Sequence, residues 1–235
     1  MPPSPWEITR DMFLSVDEVE QLLDHVRKQV TRPSPREHAR ASVDRLIIEV
    51  LLFSGLRCSE FCRLRLSDAV LDSGGGLLTV SGGQECSRGV WIPPHVAVLL
   101  REHVRHVRPA LLPADLDPRA ATGPLVVGER RQAYERSGLY RRVVRILTQA
   151  GLGARASVQL LRHTYAYLAY LRTGGNLLFV QRQLGHVHPM ITAIYAQFVE
   201  EDYAVLARSV GEPNSLPRMH RTRSRPRRSS GGIHE

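Results

Sequence analysis

The chain has 235 residues, of which 43% are hydrophobic and 23% are charged, and its formal net charge is +9. A chain of this length forms one large domain or two small ones and can bury a single sizeable core, and its hydrophobic content is ordinary for a globular protein. The sequence isoelectric point near 10.2 favours a polyanionic partner such as nucleic acid, although charge alone fits a basic protein without such a partner equally well.

Neither a membrane protein nor a secreted disulfide-bonded protein is indicated. No apolar run approaches the roughly 18 residues of a membrane span, and the first residues lack a signal-peptide core. Three cysteines are too few for a disulfide framework, so we expect a cytoplasmic protein. Cys58 and Cys62 lie one helical turn apart without a second pair, so we interpret them as buried thiols and expect no metal or cofactor.

The basic residues are almost all arginine and are unevenly placed. Lys28 is the only lysine, so 31 of the 32 basic residues are arginine. Residues 217–235 contain six arginines and one acid, a net charge of +5 that leaves +4 for the rest of the chain. We therefore predict a disordered tail over residues 211–235. It either grips a nucleic-acid backbone or is a solvated segment without a role.

Helices dominate the predicted elements of the first half of the chain. Residues 1–12 are interpreted as a flexible lead-in, and Ser15–Glu18 has the capping-box pattern that begins a helix. Gly55 is placed to end the second helix. Two apolar stretches around a glycine-rich turn predict a small sheet. The predicted helices cover about 15–30, 36–53 and 59–66, and the strands cover 77–80 and 90–92.

The second half continues with a helix that begins at Pro94 and runs to about Val107. Residues 108–133 are rich in proline, glycine and arginine and predict an exposed loop with a strand-like piece at Leu125–Val127. The remaining predicted helices cover about 134–150, 157–172, 176–184, 190–198 and 200–210. The fold class is therefore mostly α with a small antiparallel β-sheet.

Two arginines stand out because they lie at predicted helix starts between apolar neighbours. Arg57 follows Gly55-Leu56, and Arg162 lies between Leu161 and His163. A guanidinium fork matches two oxygens of a phosphate at once, so this pattern fits phosphoryl chemistry. Taken alone, any one of the 31 arginines is more often a surface charge than a functional residue. Glu60 shares a helical face with Arg57, and it either orients that guanidinium or forms an ordinary ion pair.

A histidine and a tyrosine complete the pattern. His186 follows Leu184-Gly185, and Tyr195 follows His186 by nine residues. A phenol can attack phosphorus once it is activated. A lone histidine near a helix end is more often structural, and most of the seven tyrosines are expected to be packing residues.

Together, these segments resemble the catalytic domain of the tyrosine recombinases, the phage integrase family. The resemblance covers roughly Phe13–Ala207, so the catalytic domain is assigned to 13–210. It implies a site-specific recombinase that cuts and rejoins double-stranded DNA through a 3′-phosphotyrosyl link, in integration, excision or inversion. Tyr195 matches the nucleophile, Arg57 and Arg162 match the two catalytic arginines, and His186 matches a donor to the phosphate.

The sequence departs from the family pattern at two catalytic positions. Where the family has a histidine three residues before its second arginine, this chain has Gln159. A glutamine amide can still donate a hydrogen bond to a phosphate oxygen, but it cannot exchange a proton near neutral pH. The family's hairpin lysine is absent, and Arg88 is the nearest stand-in, a poor proton donor. His163 resembles a buried neighbour of the second arginine and is expected to be structural.

The resemblance also implies an assembly. The residues before Arg57 are too few for the N-terminal domain that many members carry, so a short form similar to the fimbrial-switch invertases is expected. The family implies a homo-tetramer on DNA with exchanged C-terminal segments, nucleoid-associated and aided by accessory DNA-bending proteins. A non-catalytic DNA-binding protein of the same fold and a type IB topoisomerase-like enzyme remain as alternatives.

Overall fold

A computed structural model describes residues 8–31, 35–81, 87–113, 117–128 and 131–199. For residues 35 and 36 it describes the backbone only. The description concerns the unit that ends at Val199. Most of the predicted lead-in, Cys86, the predicted helix at 200–210 and the predicted tail at 211–235 lie outside the described residues.

Helices make up most of the described part of the chain, and in these segments nine α-helices are present. In chain order they are α1 (Val16–Val30), α2 (Pro35–Ser54), α3 (Cys58–Arg63), α4 (Pro94–Glu102), α5 (Arg108–Leu111), α6 (Arg136–Gln149), α7 (Val158–Arg172), α8 (Leu177–Leu184) and α9 (Pro189–Ala193). A 3₁₀ segment, Ile194–Phe198, follows α9 directly. No described helix has both the length and the apolar composition that a membrane span requires.

The sheet has three antiparallel strands in the order β1 (Ala69–Asp72), β2 (Gly75–Ser81) and β3 (Ser87–Ile92). Leu77 of β2 pairs with Trp91 of β3. The predicted sheet is confirmed, but β1 was missed. This strand has four residues at the sheet edge, too few for the apolar alternation that identifies a strand.

The capping box at the start of α1 is confirmed. Ser15 Oγ accepts a hydrogen bond from the Glu18 backbone N–H at 3.1 Å, and Glu18 Oε2 accepts one from the Ser15 backbone N–H at 2.8 Å. These bonds satisfy donors that a helix start leaves unpaired. The buried face of α1 packs against α2, and its residues are Val19, Leu22, Leu23 and Val26.

Helix α2 lies at the centre of the core, where it contacts α1, α4, α6 and α7. A helix with neighbours on several sides is apolar around most of its circumference, so its second half is a nearly continuous apolar run. Its most buried hydrophobic side chains, each no more than 1% exposed, are Leu46, Ile47, Ile48, Val50, Leu51 and Leu52.

Two predicted helices are shorter than expected. Helix α3 ends at Arg63 and not near Leu66, because the chain leaves the helix so that the Leu64 carbonyl can accept the backbone N–H of Leu125. Helix α4 ends at Glu102 and is followed by a wider π-helical turn, His103–Val107. Pro109 lacks an N–H and crowds the carbonyl four residues earlier, which favours the wider turn there.

A second, smaller hydrophobic cluster packs against α7 and α8. It contains Phe13, Tyr165, Val180 and Leu184, and Tyr195 of the 3₁₀ segment completes it with only 2% of its surface exposed. The region 190–198, predicted as one helix, is therefore α9 followed by a tighter 3₁₀ turn, which directs Tyr195 into this cluster.

Replacing Gly55 with alanine should destabilise the fold by roughly 2–4 kcal/mol, because a positive φ and overpacking both oppose it. Gly55 has φ +64°, and a Cβ there would lie 2.5 Å from Tyr165 Cδ1 and 2.7 Å from Leu184 Cδ2. Urea unfolding measures the change. Gly138→Ala in α6 is the matched control: nothing lies within 4 Å of its Cβ position, so it should stabilise by about 0.5–1 kcal/mol.

Candidate active site

The end of α8 brings three arginines together from different parts of the chain. The carbonyl oxygens of three consecutive residues each accept one guanidinium hydrogen bond: Gln183 from Arg88 Nε at 3.2 Å, Leu184 from Arg162 Nη2 at 2.8 Å and Gly185 from Arg57 Nη2 at 3.3 Å. The last carbonyls of a helix lack intrahelical partners and form its negative end, so cations are stabilised there.

Arg162 of α7 is the buried member of this group. Besides the Leu184 carbonyl, its guanidinium donates to the Gly55 carbonyl, so it joins the α2–α3 turn to the end of α8. Burial, reinforced by the charge of Arg57, lowers the pKa of Arg162 to about 10. The group therefore stays protonated at neutral pH and forms a fixed positive charge with only 5% of its surface exposed.

Glu60 of α3 neutralises part of the arginine charge. Its carboxylate accepts two hydrogen bonds from Arg88, at 2.7 and 2.9 Å, and one from Arg57 Nη1 at 2.9 Å. Burial alone raises the pKa of Glu60, but the hydrogen bonds from Arg88 and from the Arg57 backbone N–H outweigh it and bring the pKa to about 2. One carboxylate among three guanidinium groups leaves a surplus of positive charge.

Gln183 attaches the β-hairpin to α8, a role that the sequence did not reveal. Its side-chain oxygen accepts the Trp91 backbone N–H and its amide donates to the Trp91 carbonyl, both at 2.9 Å. These bonds extend the edge of β3 in the manner of an added strand, and they fix the strand that carries Arg88. A Cβ at Gly185 would lie 2.9 Å from Arg88 Nε, so glycine allows this close approach.

His186 follows the left-handed turn at Gly185 and lies beside the arginines. Its Nδ1 is 2.9 Å from the hydroxyl of Thr192, a fully buried residue of α9. Burial, together with the charges of Arg162 and Arg57, lowers the pKa of His186 to about 4. The ring is therefore neutral at pH 7, and Thr192 orients it through one nitrogen.

The tyrosine is joined to α7 through His163. The Tyr195 hydroxyl lies 2.5 Å from His163 Nδ1, and His163 Nε2 lies 3.1 Å from the side-chain nitrogen of Gln159. Burial raises the pKa of Tyr195 despite the opposing charge of Arg162. Burial and the same arginine lower the pKa of His163 to about 4, so its ring is neutral.

The predicted site residues thus form two groups in the structure. Arg57, Arg88, Arg162 and His186 surround the end of α8, while Tyr195 and Gln159 meet through His163. The resemblance implies that Gln159 donates to a phosphate, and in this structure its side-chain nitrogen lies beside His163. The contact of His163 with the tyrosine hydroxyl was not predicted from the sequence. The four-residue spacing of His163 from Gln159 on α7 was the available signal for the contact between those two residues.

No group of three or more potential metal ligands occurs within the described ranges. Cys58 and Cys62 are free, partly buried thiols, and burial raises the pKa of Cys62 to about 12.

Comparison with known proteins gives the family. The model of the phage integrase family matches residues 12–201. Tyrosine recombinase XerH of Helicobacter pylori is 29% identical over 187 residues, covering 79% of this chain and 48% of that protein. Tyrosine recombinase XerC of Halalkalibacterium halodurans is 32% identical over 197 residues, covering 80% of this chain and 58% of that protein.

Solved structures agree with this assignment. The XerH site-specific recombinase bound to palindromic difH substrate, a post-cleavage complex, has a TM-score of 0.66 at 28% identity, covering 85% of this chain and 53% of that chain. The Tn1549 transposon integrase in complex with circular intermediate DNA has a TM-score of 0.63 at 16% identity, covering 87% of this chain and 68% of that chain. This likeness is one of fold.

The helical core, its small sheet and the arginine cluster define a tyrosine recombinase catalytic domain. This chain belongs to the phage integrase family. It spans about half the length of XerH, the relative with 48% coverage.

Glu60→Gln should remove an acid-dependent part of the folding stability. Because the pKa of Glu60 in the folded protein lies below its ordinary value of 4.5, the carboxylate stabilises the fold above about pH 4.5, and this contribution is lost as the pH falls toward 2. The free energy of unfolding that the Glu60 carboxylate contributes, and that protonation removes, is on the order of 3 kcal/mol. Urea unfolding at several pH values measures it.

The variant should be less stable than the unmodified protein at pH 7, and its stability should change less between pH 4.5 and 2. Glu20→Gln, which removes an exposed carboxylate of α1, controls for the loss of one charge. An unchanged pH slope in Glu60→Gln would contradict the assignment.

Proposed function

We propose that this chain is a site-specific DNA recombinase that cuts and rejoins double-stranded DNA through a 3′-phosphotyrosyl intermediate on Tyr195. The observation that carries the proposal is the convergence of Arg57, Arg88 and Arg162 at the end of α8, beside His186. Fixed guanidinium groups with surplus positive charge suit the non-bridging oxygens of a phosphodiester. Membership of the phage integrase family supports the same chemistry.

In the proposed reaction, Tyr195 Oη forms a bond to phosphorus and the bond from phosphorus to the 5′ oxygen breaks. The phenolic proton passes to solvent, and the 5′ oxygen leaves as a hydroxyl after taking a proton from water. Arg57, Arg88 and Arg162 stabilise the extra negative charge on the non-bridging oxygens of the pentacoordinate phosphate. His186 donates a hydrogen bond through Nε2 to one of these oxygens. A 5′-hydroxyl from another duplex then reverses the step and releases Tyr195.

The phosphotyrosyl link conserves the energy of the phosphodiester, so rejoining requires no nucleotide. Arg88 neutralises charge in the place where the family has a lysine, but its guanidinium is a poor proton donor. Departure of the 5′ oxygen therefore depends on solvent for its proton. Cleavage by this chain should be slow compared with that of a relative that has the lysine.

We propose that the catalytic domain comprises residues 13–210 and that residues 211–235 form a basic tail that contacts the DNA backbone. The family implies a homo-tetramer on DNA, so two duplexes would be held by four copies of the chain, with accessory DNA-bending proteins contributing at some sites. Such a protein would act in the cytoplasm in association with the nucleoid. The XerH structure bound to difH substrate supports double-stranded DNA as the partner.

Tyr195→Phe should abolish covalent attachment to DNA, because phenylalanine lacks the attacking oxygen. The measurement uses nicked suicide duplexes made from the DNA that flanks the gene, and it scores protein–DNA adducts that survive denaturation. Tyr140→Phe, at a half-exposed tyrosine of α6, is the matched control and should form adduct at the same rate.

A gel shift on the same duplexes shows whether the DNA is bound. Binding without any adduct in the unmodified protein would favour the non-catalytic DNA-binding alternative. Relaxation of supercoiled plasmid without a specific site would favour the topoisomerase-like alternative.

Arg162→Lys should reduce the rate of adduct formation by about 10²–10³, the typical effect of losing one preorganised donor. Lysine keeps the charge but cannot bond the Gly55 and Leu184 carbonyls while facing a phosphate with a planar fork. Single-turnover adduct formation measures the rate. Arg182→Lys, at an exposed position of α8, is the matched control, and equal rates for the two variants would contradict the role of Arg162.

A further inference from the structure

Three side chains form a continuous hydrogen-bonded row from the surface to the buried tyrosine. Gln159 and His163 lie four residues apart on one face of α7, and Tyr195 approaches from the 3₁₀ segment. The two contacts are 3.1 Å and 2.5 Å long, and they use both nitrogens of the His163 ring. A neutral imidazole donates through one nitrogen and accepts through the other, so each contact determines the other.

The direction of the row follows from the amide. In this structure the side-chain nitrogen of Gln159 faces His163 Nε2, and an amide nitrogen donates hydrogen bonds but does not accept them, so it donates to Nε2. The ring hydrogen of the neutral histidine is then on Nδ1, which donates to the Tyr195 oxygen. The phenolic hydrogen consequently points away from His163.

We propose that His163 is a further catalytic residue of this chain: its Nδ1–H stabilises the phenolate oxygen of Tyr195 as that oxygen attacks phosphorus, and Gln159 is the positioning residue that fixes this tautomer. The inference rests on the proposed function. In the step, Oη gives its proton to water and bonds to phosphorus, the bond from phosphorus to the 5′ oxygen breaks, and that oxygen takes a proton from water. His163 keeps its proton throughout.

The surroundings of Tyr195 explain why such a donor is needed. Burial raises the pKa of Tyr195, because the phenolate loses the water that would solvate it. A hydrogen bond that strengthens as negative charge develops stabilises the transition state more than the resting phenol. Gln159 therefore serves the nucleophile through His163, and the chain needs no titratable group at residue 159 for this purpose.

The opposite tautomer would give His163 a different role. If Nε2 carried the hydrogen, Nδ1 would accept the phenolic proton and His163 would act as a general base. The low pKa of His163 and the nearby charge of Arg162 oppose formation of an imidazolium there. The two roles therefore predict different tautomers and different tolerance of substitution.

The first experiment reads the tautomer directly and needs no DNA. Nitrogen-15 NMR of the full chain, with His163 assigned by comparison with His163→Asn, distinguishes the protonated ring nitrogen from the unprotonated one. We expect Nδ1–H in the unmodified protein. In Gln159→Glu the carboxylate only accepts, so the hydrogen should move to Nε2. Nε2–H in the unmodified protein, or no change in Gln159→Glu, would overturn the proposal.

The second experiment measures adduct formation on a duplex with a bridging 5′ sulfur at the cleavage position. The thiolate leaves without a proton, so the rate reports on the nucleophile. His163→Asn keeps an N–H near the position of Nδ1 and should stay within about tenfold of the unmodified rate. His163→Phe fills the space without a donor and should be about 10²–10³ slower. Gel shifts should give equal DNA binding for all variants.

His106→Phe is the matched control, because it makes the same change at a largely exposed histidine and should leave the rate unchanged. An unchanged rate in His163→Phe, or an equal loss in His163→Asn and His163→Phe, would overturn the donor role. Absence of adduct from the unmodified protein on DNA that it binds would overturn the proposed function itself, and with it the catalytic role of His163. Because the NMR experiment needs no DNA, it tests the tautomer of His163 even if the unmodified protein forms no adduct.

Discussion

The site depends on the last carbonyl groups of α8. Gln183, Leu184 and Gly185 each offer a carbonyl oxygen that helical geometry leaves without an intrahelical partner, and each is used by a different arginine. The negative end of the helix thereby holds three cations close together, which mutual repulsion would otherwise separate. Because Arg162 also bonds the Gly55 carbonyl, the same contacts fix the α2–α3 turn and the position of Arg57.

The balance of charges leaves the site with a surplus of positive charge. Glu60 is the one carboxylate that the described contacts place among Arg57 and Arg88, and it holds both side chains without neutralising the whole cluster. Burial keeps the neighbouring rings of His163 and His186 neutral. The result is a cationic surface beside neutral hydrogen-bonding groups, an arrangement that suits stabilisation of an anion more than exchange of protons near pH 7.

Much of the fold could be predicted from the sequence, because it is encoded locally. The capping box at Ser15, the apolar face of α1 and the glycine after α2 report on residues only a few positions away. The four-residue strand β1 and the π-helical turn at His103–Val107 were missed. Pairing with β2 defines the strand, and the backbone beside Pro109 defines the turn, so neither leaves a periodic pattern.

The sequence by itself singled out the residues to which the proposed chemistry is assigned: Arg57, Arg162, His186 and Tyr195 stand in the order and spacing of the family. Only the tertiary structure decided what those residues contact. That Gln159 faces His163, and that Gln183 attaches β3 to α8, depends on how distant segments pack. Hydrogen bonds between residues far apart in the sequence leave no repeating pattern in it. The local sequence around each partner would be the same whichever distant residue it contacted.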